Sequence, residues 1–110
     1  MKYVCLVYMD EKDLPSVPDR ECLGWGEKLR SSGHYVAAEA LQSVRTGKTV
    51  RVRHGKPVIT DGPFTEAKEH IAGFYLIEAA NIDEATQLAS QIPPARVGGI
   101  EVRPIRQLVP

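Results

Sequence analysis

The segment KYVCLVYM, residues 2–9, limits the folds open to this chain more than any other stretch. Its β-branched and aromatic side chains favour a strand. Alternation puts Tyr3, Cys5, Val7 and Met9 on one face and Val4, Leu6 and Tyr8 on the other. Both faces are apolar. Such a strand belongs inside a sheet that is covered on both sides, so the rest of the chain has to supply that cover.

The sequence offers two helices for the task. Pro15 and Pro18 punctuate a loop, and Asp19 is placed to cap the first helix. In RECLGWGEKLRSSG, Cys22, Trp25, Gly26 and Leu29 recur at helical spacing, and Gly33 supplies the stop. Gly24 and Gly26 weaken that helix by up to about 1 kcal/mol each relative to Ala, which implies that something packs closely against it. The second helix is NIDEATQLASQIPP: Asn81 or Asp83 caps it, Ile82, Ala85, Leu88, Ala89 and Ile92 form the buried stripe, and Pro93-Pro94 ends it.

Between the helices lie the other strands. HYVAAEAL, residues 34–41, is apolar except for Glu39. TVRVR and KPVIT flank His54-Gly55, a tight hairpin in which Val50 and Val52 alternate with Arg51 and Arg53, leaving one face solvated. GFYLIEA, residues 73–79, and the closing GGIEVRPI complete the set. The order is strand, helix, strand, hairpin, strand, helix, strand. That is an α+β, ferredoxin-like βαββαβ arrangement with an inserted β-hairpin, in one domain spanning residues 1–110. Two helices cover only one face of a four-stranded sheet, so a second copy is expected over the other, giving a homodimer.

Bulk composition narrows the function classes. Fourteen basic residues balance fourteen acidic ones, so no net field favours nucleic acid or an anionic membrane. No apolar run approaches the roughly 20 residues of a bilayer span, and the N-terminus reads as a strand rather than a signal peptide. Cys5 and Cys22 lack metal-ligand spacing and are expected as free thiols in a cytoplasmic protein. His34, His54 and His70 fall on three different elements, so no metal site and no cofactor is expected. Gly98-Gly99 precedes a strand, not a helix, and makes no dinucleotide loop. The arginines of the hairpin lack interleaved aromatics for stacking bases.

TDGPFTEAKE at residues 60–69, followed by GFYLIEA and DEATQLASQIP, resembles the DGPF subgroup of the YCII-related proteins. MKYVCLVYMDE and GGIEVRPI fit the same pattern, so the resemblance covers essentially the whole chain. It implies a dimeric α+β barrel built from two ferredoxin-like protomers. Some members are associated with genes for extracytoplasmic-function sigma factors, which implies sigma-factor association as a further partner class. In the wider group a His–Asp pair in a cleft implies enzymatic activity, with the His at the start of the first helix. Here that position falls on Cys22, with Trp25 at a following aromatic position, and the helix has no His. The His–Asp mechanism does not transfer.

Each residue that could carry chemistry also has an ordinary structural role open to it. Asp61 caps a Gly-Pro turn, as Asp commonly does, or is a carboxylate at a pocket mouth. Glu39 interrupts an apolar strand on the face of Ala37 and Leu41, and must be paired, protonated or beside a cavity. Lys68 neutralises Glu39 or Asp61, grips an anionic substrate, or is a solvated side chain on a helical turn with Glu66, Glu69 and His70 around it. Cys22, near a helix N-terminus, is a thiolate favoured by the helix dipole or a small buried apolar residue. Phe64 is expected to be buried as the anchor of the turn, against the sheet or a partner.

These residues admit three readings. The first is an enzyme of lyase or isomerase type, with Glu39 and Asp61 as acid and base and Lys68, Phe64, Cys22 and Trp25 contacting an unknown small-molecule substrate. The second is a ligand-sensing or partner-binding protein with the same pocket and no turnover. The third is an interaction dimer whose Asp-Gly-Pro-Phe corner only fixes the hairpin. The expectation is a homodimer with a pocket near Asp61–Phe64, into which Asp61, Glu39 and Lys68 converge.

Overall fold

The computed structural model describes residues 1–110. Strand β1 (Lys2–Met9) lies inside a four-stranded antiparallel sheet of order β2-β5-β1-β6, made with β2 (Tyr35–Ala40), β5 (His70–Glu78) and β6 (Gly99–Pro104). This is the ferredoxin-like order. The helices α1 (Asp19–Ser31) and α2 (Ile82–Ala89) come after β1 and β5 respectively. Neither is long and apolar enough to cross a membrane.

The alternation in β1 fixes where the core sits. Cys5 is opposite Tyr75 on β5 and Val102 on β6, while Tyr3 and Val7 are its neighbours on the same face. These side chains meet Trp25 and Leu29 from α1, and Ala85, Ala89 and Ile92 from α2 and the turn after it. Trp25 meets Tyr75 edge-on, with ring centroids 4.9 Å apart, a geometry that aromatic quadrupoles favour. Burying Leu29, Ile77 and Ile92 contributes about 1.5–3 kcal/mol each. On the other face, Val4, Leu6, Phe74 and Leu76 lie side by side in two cross-strand rows, half-buried and without a helix above them.

The helix ends are set locally. Pro18, not Asp19, holds the N-cap of α1, and no side chain caps it. Asp19 instead lies in the first turn, where a carboxylate favours the helix dipole. At the other end Gly33 adopts φ +80°. Its amide donates to Arg30 O at 3.1 Å and that of His34 to Leu29 O at 3.0 Å, a Schellman closure. Asn81 caps α2 by accepting from the Glu84 amide at 2.9 Å. Ala85 and Ala89 are buried as the stripe predicts, but Ile82, at the helix start, remains 42% exposed.

The inserted hairpin is β3 (Lys48–Arg53) and β4 (Lys56–Asp61), joined by His54 and Gly55 at φ 53° and 75°. Both central residues in the left-handed region make the two-residue turn that strand twist favours. The hairpin forms its own two-stranded sheet and stands away from the body. The radius of gyration is 15.7 Å, against about 13 Å for a compact chain of this length. Only its root is fastened: Thr49 is buried and its hydroxyl donates to Gly62 O at 2.9 Å, and the Gly62 amide donates to Gly47 O at 2.9 Å. Val50 and Val52 are therefore not a covered face, being 62% and 61% exposed. After β4 the chain bends irregularly up to His70, the first residue of β5, so Glu66, Lys68 and His70 share no helical turn.

Gly73 faces Val7 on one side and Ala40 on the other, next to a register shift in the β1–β5 ladder. A Cβ there would come within 2.7 Å of the Glu39 carbonyl oxygen, a backbone atom with little freedom to retreat. Gly73→Ala is expected to destabilise the protein by about 1–3 kcal/mol in urea denaturation; an unchanged midpoint would mean that β2 gives way freely.

Candidate functional site

Two hollows flank the end of the sheet where β2 leaves it. The first is a groove of about 540 Å³ at the root of the hairpin, lined by Leu41, Val44, Val50, Ile71 and the Gly62-Pro63-Phe64 corner. Gly62 has φ +93°, so the residue after Asp61 has to be one without a side chain. That turn throws Phe64 outward. The ring is 70% exposed, with the Arg51 guanidinium 4.5 Å from its centroid, in place of burial against its own sheet. The cation covers one aromatic face instead.

The second hollow is a cleft of about 580 Å³ between α1 and the sheet. Cys22, Gly26, Arg30, Tyr35, Glu39 and Tyr75 are among the residues lining it. Its space comes from small residues: Ala38, Ala40 and Gly73 on the strands lie beneath Gly26 on the helix. A Cβ on Gly24 or Gly26 would meet no atom within 4 Å. The close packing that two helix glycines imply is absent at both positions. At Gly26 the missing side chain leaves cleft volume.

At the cleft wall Cys22 and Tyr75 act on each other. Burial pushes the Cys22 thiol up, and the nearby Tyr75 hydroxyl pulls it only partly back. Tyr75 is raised as well, by burial first and then by Cys22. Both groups therefore stay protonated near neutral pH, and the dipole at the start of α1 does not make Cys22 a thiolate. Cys5, fully buried in the core, is pushed up to about 11 by burial. At the rim Arg30 lies 4.4 Å over the Tyr35 ring and donates to Glu27 at 2.8 Å.

The expected convergence of Asp61, Glu39 and Lys68 is not assembled in either hollow. Asp61 is exposed and paired to Lys48, its cross-strand neighbour, at 2.5 Å. An exposed pair of this kind contributes about 0–1 kcal/mol, and here it closes the root of the hairpin. Lys68 is exposed on the connection to β5 and lines neither hollow. Glu39 lies at the cleft edge, opposite Phe74, exposed and without an ion pair. Trp25 is buried behind Tyr75 and lines neither hollow. No group of three or more His, Cys, Asp and Glu side chains is gathered closely enough to hold a metal ion.

Sequence reasoning missed Tyr75, Tyr35, Arg30 and Glu11. The aromatics look like ordinary strand residues, and only the gap left by Gly26 beside them hints at a cleft. Glu11 accepts from the Val44 amide at 2.9 Å and from Ser43 Oγ at 2.8 Å. Those two bonds, the amide first, hold its carboxyl below the usual range. A contact across 32 residues of chain leaves no local signal.

The YCII-related domain model matches residues 1–109. An uncharacterised protein of Rhizobium meliloti (strain 1021) is 32% identical over 114 residues, covering 96% of this chain and 92% of that protein. The chain belongs to the YCII-related family. In this YCII-related chain the position at the start of the first helix is Cys22, a protonated thiol in the cleft wall rather than an imidazole.

Two titrations check this geometry. Because Glu11 is depressed in the folded state, its contribution is fully present above the ordinary carboxylate value and disappears as pH falls through the lower, folded one. The protection of the Val44 amide against hydrogen exchange should therefore fall in that acid window, and Glu11→Gln should abolish the pH step; an unchanged step would assign it to another group. Cys22 should alkylate slowly at pH 7, its rate still rising above the pH at which an ordinary thiol has ionised. Fast reaction at neutral pH would show a thiolate.

Proposed function

We propose that this YCII-related protein is a homodimer that binds a small, largely apolar molecule in the α1 cleft. The observation that carries the reading is the cleft itself. Its volume of about 580 Å³ lies in the range of small-molecule sites, and it is apolar in the main with a few convergent polar groups. Gly26 enlarges it although glycine costs α1 up to about 1 kcal/mol relative to Ala. Cys22 and Tyr75, both protonated, favour a ligand with a hydrogen-bond acceptor at its inner end. Binding without turnover is favoured over the acid–base pair expected of Glu39 and Asp61, because Asp61 is engaged by Lys48 outside the cleft. The half-buried row of Val4, Leu6, Phe74 and Leu76 supports the dimer, as a face that a second sheet would cover.

A thermal-shift screen of a metabolite library, run in parallel on the wild type and on Gly26→Leu, tests the cleft. A ligand at a hundredfold excess over its Kd stabilises by about 2.7 kcal/mol, several degrees in a domain of this size. The Leu side chain should leave the unliganded melting temperature unchanged or higher and abolish the shift. A ligand that shifts both proteins equally would move the site out of the cleft. Light scattering at micromolar concentration should give twice the 12.1 kDa chain mass; a monomer would overturn the dimer.

A further inference from the structure

The β3–β4 arm takes no part in the cleft, and its surface differs from that of the body. The register pairs Val50 with Ile59 and Val52 with Pro57, so these four share one face. Val50, Val52 and Ile59 are each 60% exposed or more. Arg51, Arg53, Val58 and Lys56 occupy the other face. A two-stranded hairpin alone in water is marginal at best, and clustered exposed aliphatic side chains mark a contact surface.

Charge says what that surface meets. Lys48–Asp61 carries four cations, Lys48, Arg51, Arg53 and Lys56, and one carboxylate. The other residues hold ten cations and thirteen carboxylates. The arm is basic and the body acidic, so a second copy offers the arm a complementary surface. Within one chain Lys48 is taken by Asp61 and Arg51 lies on Phe64. Arg53 and Lys56, opposite each other at the arm's tip, form no salt bridge.

The body has a matching vacancy. Glu39, Phe74, Leu6 and Glu101 form one row across the uncovered sheet face. Glu101 is served by Arg103 at 3.6 Å and by the Tyr8 hydroxyl at 3.3 Å, but Glu39 has no cation. Covering Glu39 with a second sheet and leaving it unpaired would be strongly unfavourable.

We infer that the arm of one copy lies across the Glu39 edge of the second. Val50, Val52 and Ile59 sit against that edge, and the long side chains of Arg53 and Lys56 curl round the ribbon to pair with Glu39. The inference rests on the dimer of the proposed function. A basic ribbon alone would also suit nucleic-acid phosphates, but an exposed aliphatic face on the same ribbon favours protein.

Charge exchange between copies is the test, read by sedimentation equilibrium with circular dichroism to confirm folding of these surface variants. Glu39→Lys alone and Arg53→Glu/Lys56→Glu alone should each raise the dimer Kd tenfold or more. Mixed together, the two variants should form heterodimer well above the statistical proportion, since every arm then faces an opposite charge. If the wild type is a dimer and both variants dimerise equally well, the arm inference fails and the dimer reading stands. A monomeric wild type overturns the dimer reading and the inference with it. If Arg53→Glu/Lys56→Glu dimerises normally but loses binding to duplex DNA shown by the wild type, the inference is overturned in favour of nucleic acid.

Discussion

Cys5 at the centre of β1 touches Tyr75 on one side and Val102 on the other, and this ladder is what the remaining elements are arranged around. Because β1 is apolar on both faces, the sheet needs two covers, and the chain encodes helices for one. Trp25, Leu29, Ala85 and Ala89 supply that layer. The second face is left with Leu6 and Phe74 half-open. Most of the functional reading descends from this asymmetry: one face closes into a core with a cleft at its end, and the other stays available to a second copy.

The cleft shows local preference yielding to a local vacancy. Helix propensity argues against Gly24 and Gly26, and close packing would be the ordinary compensation. Gly73 has that compensation, since the Glu39 carbonyl crowds it. Gly26 does not, and what it leaves is cleft volume. Two glycines lining the same hollow therefore carry opposite physical meanings. One is forced by a neighbouring backbone; the other is left unexplained by the protein's own packing.

Much of the fold is legible in the sequence, because it rests on short-range rules. The alternation of Tyr3 to Met9, the stop at Gly33, the Asn81 cap and the His54-Gly55 turn each depend on a few neighbouring residues, and each lies where those rules place it. The candidate site is less legible, since it depends on which charges meet through space. Asp61 is drawn to Lys48, its cross-strand neighbour, whose closeness comes from the hairpin register rather than from any motif. Spacing alone puts Lys68 on a helical turn that the chain never forms, and without that turn it has no fixed direction toward Glu39. A large aromatic such as Phe64 is ordinarily drawn inside; the positive φ of Gly62 sends this one out.

The TDGPFTEAKE stretch therefore works less as a pocket wall than as the root of an arm. Gly62 reverses the chain, Asp61 locks the last ladder pair, and Thr49 reaches across to the Gly62 carbonyl. Glu11 adds a brace from the other side, holding Ser43 and Val44 just before β3. The same short turn that carries Glu11 contributes Leu14 to the α1 cleft, while Val44 lines the hairpin groove. One half-buried carboxylate thus joins the support of the cleft to the support of the arm. Protonating it weakens the bonds that both regions share, so the cleft and the arm have a common sensitivity to acid.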